Sequence, residues 1–316
     1  MTRLVAGGFA VLALAAATAS AQPTPVFRVG LDLVNVTLTV RDGKGGLVSD
    51  LGAEDFVVRE DGRPQKLEVF APAAQPEERE ELALNLGMLF DTSESMRKDL
   101  KLSQESAIRF LDAIPRARDL LLIFFDRDIR ISRYNSENQQ GIFGRILEAK
   151  GEGYTALYDA IAVYLSRVAD TSGRKVLVVF TDGDDTTSQV APQEVQRLVR
   201  SSSVTIYPVA FPGEHKANTA DALRAHSFLH SIAGLSGGRV FQPTASRELA
   251  AIYQSILDEL GTQYVLGYVS DNAKRDGRFR RITVELKRPG LKVRHRTGYD
   301  APKDRPPPRP KPSGNK

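Results

Sequence analysis

The stretch that decides the fold reads LNLGMLFDTSES and spans residues 84–95. A short apolar run ends at Asp91, and residues with hydroxyl side chains follow it. Similar apolar runs recur later in the chain, at 120–125, 176–180 and 204–209. Apolar strands that alternate with amphipathic helices are typical of a parallel sheet with helices on both faces. The sequence therefore predicts a doubly wound, mostly parallel α/β domain over residues 82–260.

The helices of this domain are predicted from apolar residues that recur at helical spacing. A short edge strand is expected at 129–131 and a last strand at 239–241. The expected helices lie at about 97–114, 138–149, 155–169, from 192 onward, 220–234 and 246–260.

On both sides of this domain the pattern changes to β-strands. Residues 27–70 contain alternating apolar and polar positions, and Asp61-Gly62 predicts a hairpin that pairs 56–60 with 66–70. Residues 262–299 predict three more strands. Two or three strands are only marginally stable alone. We therefore expect both flanks to form one small sandwich-like all-β domain, with the α/β domain inserted between them.

The two ends of the chain and one internal segment lack this periodicity. Residues 1–21 combine an early Arg3, an apolar run and a small-residue cleavage site at Ala19-Ser20-Ala21, which predicts a secretory signal peptide. Residues 71–81 are expected to be a linker, and residues 300–316 a disordered tail rich in Pro, Lys and Arg. The mature protein is thus expected to be exported, periplasmic or extracellular, without a transmembrane segment.

The composition limits the chemistry. The 316 residues include no cysteine and four histidines. The lack of cysteine excludes disulfides, thiolate zinc sites, iron–sulfur clusters and cysteine nucleophiles. With so few histidines, any bound metal is expected to be a hard cation held by oxygen.

The basic residues are concentrated near the C-terminus. The last 47 residues carry a net charge of +10, whereas the preceding 269 carry −6. Residues 274–296 alternate basic and apolar side chains, and no aromatic-rich RNA-binding motif or zinc-finger spacing accompanies them. This pattern favours the solvated face of a sheet over a nucleic-acid surface, and we expect no nucleic-acid partner.

Three loops with oxygen ligands are expected at one edge of the α/β sheet. The first strand runs into Asp91, Ser93 and Ser95, a second loop contains Thr155, and a later strand runs into Asp182. In open α/β sheets, ligand sites form where such loops converge. Two carboxylates and three hydroxyls, completed by water, suit the octahedral shell of Mg²⁺ or Mn²⁺.

These residues resemble the metal-ion-dependent adhesion site of von Willebrand factor type A (VWFA) domains. The matching elements are Asp91-x-Ser93-x-Ser95, Gly153-x-Thr155 and Thr181-Asp182-Gly183. The whole chain also resembles an exported bacterial subgroup of this family, in which the domain sits between β segments. The resemblance implies that the hydroxyls of Ser93 and Ser95 bind the metal directly. It implies that Thr155 binds directly or through water, and that both carboxylates act mainly through water.

The leading functional hypothesis is a non-enzymatic adhesion or scaffolding module that binds an exposed Asp or Glu of a partner through Mg²⁺. One alternative is a metal-assisted hydrolase, and another is a structural envelope protein with a vestigial site. The string Gly234-Leu235-Ser236-Gly237-Gly238 matches a nucleophile elbow. A helix precedes it and a strand follows, however, so a helix C-cap is the better explanation.

Overall fold

The chain has strands at both ends and alternates strands with helices in the middle. The structure, a computed structural model, describes residues 33–73, 84–113, 119–135, 141–169, 171, 173–212 and 219–303. The strands are β1 (Leu33–Arg41), β2 (Phe56–Glu60), β3 (Arg63–Gln65), β4 (Leu67–Ala71), β5 (Leu84–Asp91), β6 (Asp119–Phe125), β7 (Ile129–Tyr134), β8 (Arg174–Thr181), β9 (Val204–Ala210), β10 (Tyr264–Val269), β11 (Phe279–Leu286), β12 (Lys292–His295) and β13 (Gly298–Asp300). The helices are α1 (Leu100–Ala113), α2 (Ile142–Glu148), α3 (Leu157–Val168), α4 (Pro192–Ser201), α5 (Ala220–Ser236) and α6 (Ser246–Gly261). None of the described helices has the length and apolar character that a membrane crossing requires.

The middle of the chain builds a five-stranded sheet in the order β7-β6-β5-β8-β9. Strands β5, β6, β8 and β9 are parallel, and the edge strand β7 runs antiparallel to β6. All eight residues of the central strand β5 are buried, as expected of a strand with helices on both faces. The predicted doubly wound α/β domain is therefore confirmed.

Each face of this sheet has its own apolar core, because successive residues of a strand point to opposite faces. Phe90 packs in a core with Phe110 of α1 and Tyr253 of α6. Its neighbour Leu89 packs in the other core with Leu157 of α3 and residues of α4 and α5.

Helix α3 approaches β5 closely at a glycine. A Cβ atom on Gly87 would lie 2.1 Å from the ring of Tyr164. The hydroxyl of Tyr164 donates a hydrogen bond to the carbonyl of Val176 on β8, at 3.0 Å. Only glycine allows this approach, which anchors α3 against the two central strands. The N-terminus of α3 follows the predicted ligand Thr155, so this packing also positions the site.

The two β segments that flank the α/β domain form one sandwich of antiparallel sheets. The orders of the strands are β12-β1-β10-β4 and β13-β11-β2-β3, so each sheet takes strands from both flanks. Val36 of β1, for example, is paired with Leu266 of β10. Val36, Phe56, Tyr264 and Val284 pack in the core between the sheets. The predicted fold class, an α/β sheet combined with a β-sandwich, is confirmed, while the boundaries between the α/β domain and the sandwich stay a prediction.

Three details of strand pairing differ from prediction. The expected partner of β2, residues 66–70, instead forms β4 and pairs with β10 in the other sheet, while β2 pairs with the short β3. The chain therefore changes sheets at Lys66, which local alternation cannot reveal. The expected strand at 239–241 is a single bridge between Phe241 and Val209. Strand β13, which was not predicted, pairs with β11.

A buried carboxylate joins α6 to the sandwich. The Glu259 side chain is fully buried, and its Oε1 lies 2.6 Å from a guanidinium nitrogen of Arg41 and 2.8 Å from one of Arg239. Arg294 contacts the other carboxylate oxygen. Arg41 lies on β1 and Arg294 on β12, so this cluster fixes the end of α6 against one sheet of the sandwich.

Several sequence predictions lie wholly or partly outside the described residues. They are the signal peptide at 1–21, most of the linker at 71–81 and most of the tail at 300–316. The described residues correct the edges of the last two. Ala71 belongs to β4 and Ala73 is buried in the sandwich core, so the linker cannot begin at 71. Asp300 belongs to β13 and Ala301 is buried, so the tail cannot begin at 300.

Candidate functional site

Three loops meet at the carboxyl edge of the α/β sheet. The first loop comprises residues 91–98, the second residues 151–156 and the third residues 182–188. Asp91 is the last residue of β5, and Asp182 directly follows β8, the parallel neighbour of β5. Thr155 lies two residues before α3. Parallel strands bring their carboxyl ends to one edge, so the sheet topology itself brings these predicted ligands together.

Asp91 organises the first loop. Its Oδ1 accepts hydrogen bonds from the backbone N–H of Ser93 at 3.0 Å and from the Ser93 hydroxyl at 2.6 Å. Its Oδ2 accepts one from the hydroxyl of Thr181, at 2.6 Å. The Ser93 Oγ lies 3.1 Å from the Ser95 Oγ. Three of the five predicted ligands thus share one hydrogen-bonded cluster.

Backbone hydrogen bonds hold the second loop against the first. The N–H of Glu152 donates to the carbonyl of Thr92 at 2.9 Å, and that of Glu94 donates to the carbonyl of Gly153 at 3.1 Å. A Cβ atom on Gly151 would lie 3.2 Å from the backbone of the first loop. The two loops are therefore held in one fixed arrangement.

Thr155 is held by the third loop through its backbone. Its N–H donates to the Thr186 hydroxyl at 2.9 Å, and its carbonyl accepts the N–H groups of Thr186 at 2.9 Å and Thr187 at 3.1 Å. Asp182 lies in the same third loop, four residues before Thr186. The side chain of Thr155 is 2% exposed. These contacts tie Thr155 to the loop that carries Asp182.

Asp185 has a structural role that the sequence does not predict. Its Oδ2 accepts hydrogen bonds from the Tyr158 N–H at 3.0 Å and the Ser188 hydroxyl at 2.6 Å. Asp159 in turn accepts the Val190 N–H at 2.8 Å. The N-terminus of α3 is thereby tied to the third loop. The local signal was the Asp-x-x-Ser spacing, which is typical of side chains that bond nearby backbone groups.

A second supporting cluster lies behind the first loop. The Thr92 hydroxyl accepts a hydrogen bond from Arg130 at 3.1 Å and lies 3.1 Å from a carboxylate oxygen of Asp126. The carbonyl of Asp126 accepts the N–H of Ala156, next to Thr155, at 2.8 Å. Asp126 directly follows β6, just as Asp91 ends β5. That position was a sequence signal that could have identified it.

The carboxyl group of Asp91 lies in an unfavourable environment for a negative charge. Burial first, and the charge of Asp182 second, raise the pKa of Asp91 to about 7. The hydrogen bonds from Ser93 and Thr181 oppose this shift. Within the described residues, these direct partners of Asp91 are neutral. A divalent cation at this position would therefore stabilise the ionised carboxylate.

The donor set suits a hard cation better than a transition metal. Across the described ranges, no three His, Asp or Glu side chains form a metal cage, so hydroxyl oxygens have to supply part of any shell. Two neighbouring oxygens of octahedral Mg²⁺ lie about 3 Å apart, since each metal–oxygen distance is about 2.1 Å. The 3.1 Å between the Ser93 and Ser95 hydroxyls matches that spacing. The residues present therefore fit Mg²⁺ or Mn²⁺.

Without divalent cations, we expect the contribution of Asp91 to the free energy of unfolding to fall as the pH rises from about 4 to about 7, with a slope of up to about 1.4 kcal/mol per pH unit. Over this range the folded state keeps a proton on Asp91, whereas the unfolded state, with the ordinary pKa of 3.8, has released it. Urea unfolding in chelator across this range measures the slope. Asp91→Asn should lack this contribution. If the free energy of unfolding of the wild type and of Asp91→Asn changed with pH in the same way, the raised pKa of Asp91 would be wrong.

The string at 234–238 ends a helix. Gly237 follows α5 with a φ of +82°, and its N–H points back to carbonyls of the last turn, including that of Ala233. Ser236 is buried, and its hydroxyl accepts the N–H of Ile206 and donates to the carbonyl of Ala233, both at 3.0 Å. The helix C-cap predicted from the sequence is confirmed, and Ser236 is not presented as a nucleophile.

The profile of the von Willebrand factor type A domain matches residues 85–255, just over half of the chain. The comparison with curated proteins returned no significant match.

Several solved structures are similar, all with low sequence identity. A von Willebrand factor type A protein from Catenulispora acidiphila is 13% identical, with a TM-score of 0.48, over 88% of this chain and 76% of that one. An aerotolerance-related membrane protein from Bacteroides fragilis is 14% identical, with a TM-score of 0.45, over 56% and 98%. The vWF domain of a type V pili tip protein from Porphyromonas gingivalis is 11% identical, with a TM-score of 0.45, over 56% and 94%.

Proposed function

Because the chain belongs to the von Willebrand factor type A domain family, we propose that it is a protein-binding module that depends on a divalent cation. In this proposal it serves adhesion or scaffolding and is not an enzyme. One observation carries the proposal. The buried Asp91, whose charge is opposed by Asp182, lies beside two hydroxyls spaced like neighbouring ligands of Mg²⁺.

The proposed ligand roles are those that the resemblance to the metal-ion-dependent adhesion site implies. The hydroxyls of Ser93, Ser95 and Thr155 would hold the cation, Thr155 either directly or through water. Asp91 and Asp182 would bind mainly through water. Asp91 also accepts the hydrogen bonds that orient Ser93. When bound, Mg²⁺ or Mn²⁺ would supply a strong positive charge where the three loops meet.

The partner is proposed to supply an exposed Asp or Glu. If the direct protein ligands are neutral hydroxyls, the cation keeps much of its positive character and attracts a carboxylate. A purely structural site would be expected to use charged direct ligands to hold its ion. Neutral direct ligands therefore favour a site completed by a protein partner over one that only stabilises loops.

A metal-assisted hydrolase is the main rival, and a vestigial site is the other. Catalysis would need a positioned general base. Of the described histidines, two lie on α5 and one on β12, and none takes part in the loop contacts given above. His226 and His230 instead lie against each other, with ring centroids 4.2 Å apart. A broad hydrolase screen with Mg²⁺ separates an enzyme from a binder.

The proposed location is outside the cytoplasm, in the periplasm or beyond it. The support is the signal-peptide pattern of residues 1–21 in the sequence. The cleaved N-terminus of the secreted protein, determined by mass spectrometry, tests this part of the proposal.

The proposed function predicts that Mg²⁺ stabilises the protein. A ligand that binds only the folded state at about 100 times its Kd adds about 2.7 kcal/mol to the free energy of unfolding. We therefore expect a higher thermal midpoint in Mg²⁺ than in chelator. Ser93→Ala should lose this difference. Equal midpoints of the wild type in Mg²⁺ and in chelator would indicate a vestigial site and contradict the proposal.

A further inference from the structure

One aromatic side chain stands exposed beside the proposed metal site. Tyr154 lies between Gly153, whose carbonyl bonds the first loop, and Thr155, whose backbone bonds the third loop. Its backbone is therefore held on both sides, while 61% of the residue is exposed. A large exposed ring on a fixed backbone can bind a partner at low entropic cost, which is why Tyr is enriched at binding hot spots.

Five large apolar side chains are exposed in the described part of the chain. They are Phe143, Leu147, Tyr154, Leu223 and Phe279. Three of these five lie in the segment 143–154, which leads into the site. Gln104 fixes the end of α2 in this segment, because its side-chain amide donates to the carbonyls of Ile146 at 2.9 Å and Ala149 at 3.0 Å.

The charge of the site limits the kind of partner. The three loops, residues 91–98, 151–156 and 182–188, contain six Asp or Glu and two Lys or Arg. Their net charge is therefore −4, and a bound Mg²⁺ reduces it to −2. A partner with several adjacent acidic groups would be repelled beyond the one carboxylate that reaches the cation. An apolar residue next to that carboxylate would not be repelled by the negative charge of the site.

We propose that Tyr154 is a specificity-determining contact, and that the site recognises a single Asp or Glu flanked by an aromatic or aliphatic residue. This inference rests on the proposed function, because the carboxylate is the group that reaches the cation. Tyr154 then packs against the apolar neighbour. The partner is a protein segment with one acidic residue rather than a polyacidic or phosphorylated segment.

A phage-displayed library of random peptides, bound to the full chain in Mg²⁺ and eluted with chelator, tests the preference. We expect peptides with one Asp or Glu next to Phe, Tyr, Trp, Leu or Ile. Against an enriched peptide, Tyr154→Ala should bind at least about ten-fold more weakly, with unchanged Mg²⁺ affinity. Tyr154→Phe should keep the binding. Phe279→Ala on β11, which also truncates an exposed ring, is the control and should bind normally.

The other possible outcomes contradict either the role of Tyr154 alone or the proposed function as well. Mg²⁺-dependent peptides rich in adjacent acidic residues, or without an apolar neighbour, would overturn the role of Tyr154 and leave the cation-dependent function standing. Equal binding by Tyr154→Ala and the wild type would do the same. If no peptide depended on Mg²⁺ and the metal itself did not bind, both the inference and the proposed function would be wrong.

Discussion

Asp182→Ala is expected to abolish Mg²⁺ binding while the protein still unfolds in one cooperative transition. Asp182 would provide one of the two carboxylates of the proposed site and follows β8 directly. Its removal would leave the proposed cation with a single carboxylate. Burial first, and the charge of Asp182 second, raise the pKa of Asp91, and the change removes only the second cause. It also removes the acceptor of the Asp184 N–H, at 3.1 Å, so the metal-free variant should be about as stable as the wild type. Isothermal titration with Mg²⁺ and urea unfolding in chelator measure the two effects.

The matched control is Glu152→Ala. Glu152 is an exposed carboxylate in the second loop, so its removal changes the charge by the same amount and leaves the donor set intact. It should bind Mg²⁺ with little change. If Asp182→Ala bound Mg²⁺ as the wild type does, or if both variants lost binding equally, general charge rather than this ligand would govern binding.

Glu259→Gln is expected to have the largest effect on stability. Glu259 is fully buried among Arg41, Arg239 and Arg294, and the amide has no charge to offset theirs. Removing one partner from a buried ion cluster typically costs 3–5 kcal/mol. The three arginines keep 28–35% of their side chains exposed. We therefore expect about 3 kcal/mol, at the lower end of that range.

Urea unfolding measures this loss, and a surface pair provides the comparison. Glu285 pairs with Arg59 across β11 and β2, and 53% of the Glu285 side chain is exposed. Glu285→Gln should cost far less, since exposed pairs contribute little. If the two variants were equally stable, Glu259 would not be what holds α6 against the sandwich.

Local patterns were sufficient to predict the α/β domain and the loops that meet at its carboxyl edge. The apolar runs that became β5 and β8 are continuous, because both faces of these strands are buried. Asp91 and Asp182 could be assigned to one edge because they end such runs. The structure brings Asp91, Ser93 and Ser95 into direct contact and ties the backbone of Thr155 to the third loop.

What the sequence could not reveal depends on contacts between distant residues. The move of β4 to the other sheet is decided by its pairing with β10, about 200 residues away in the chain. The arginines around Glu259 come from three separate segments. The link from Asp185 to α3 could not be predicted, because its partner Tyr158 lies 27 residues before it.

The site illustrates a common conflict between stability and binding. Asp91 and Asp182 repel each other in a buried setting, which destabilises the metal-free protein. This arrangement makes sense when a cation offsets both charges. Natural proteins often keep such unfavourable groups where binding requires them.

Diffraction from crystals grown with Mn²⁺ would show whether the three loops bind a metal, because the anomalous signal locates the ion itself. We expect a single strong peak at the meeting point of the three loops, within direct-coordination distance of the Ser93 and Ser95 hydroxyls. Asp91 and Asp182 should reach it mainly through water. An anomalous map without a peak there, in crystals whose loops keep the arrangement described above, would contradict the account.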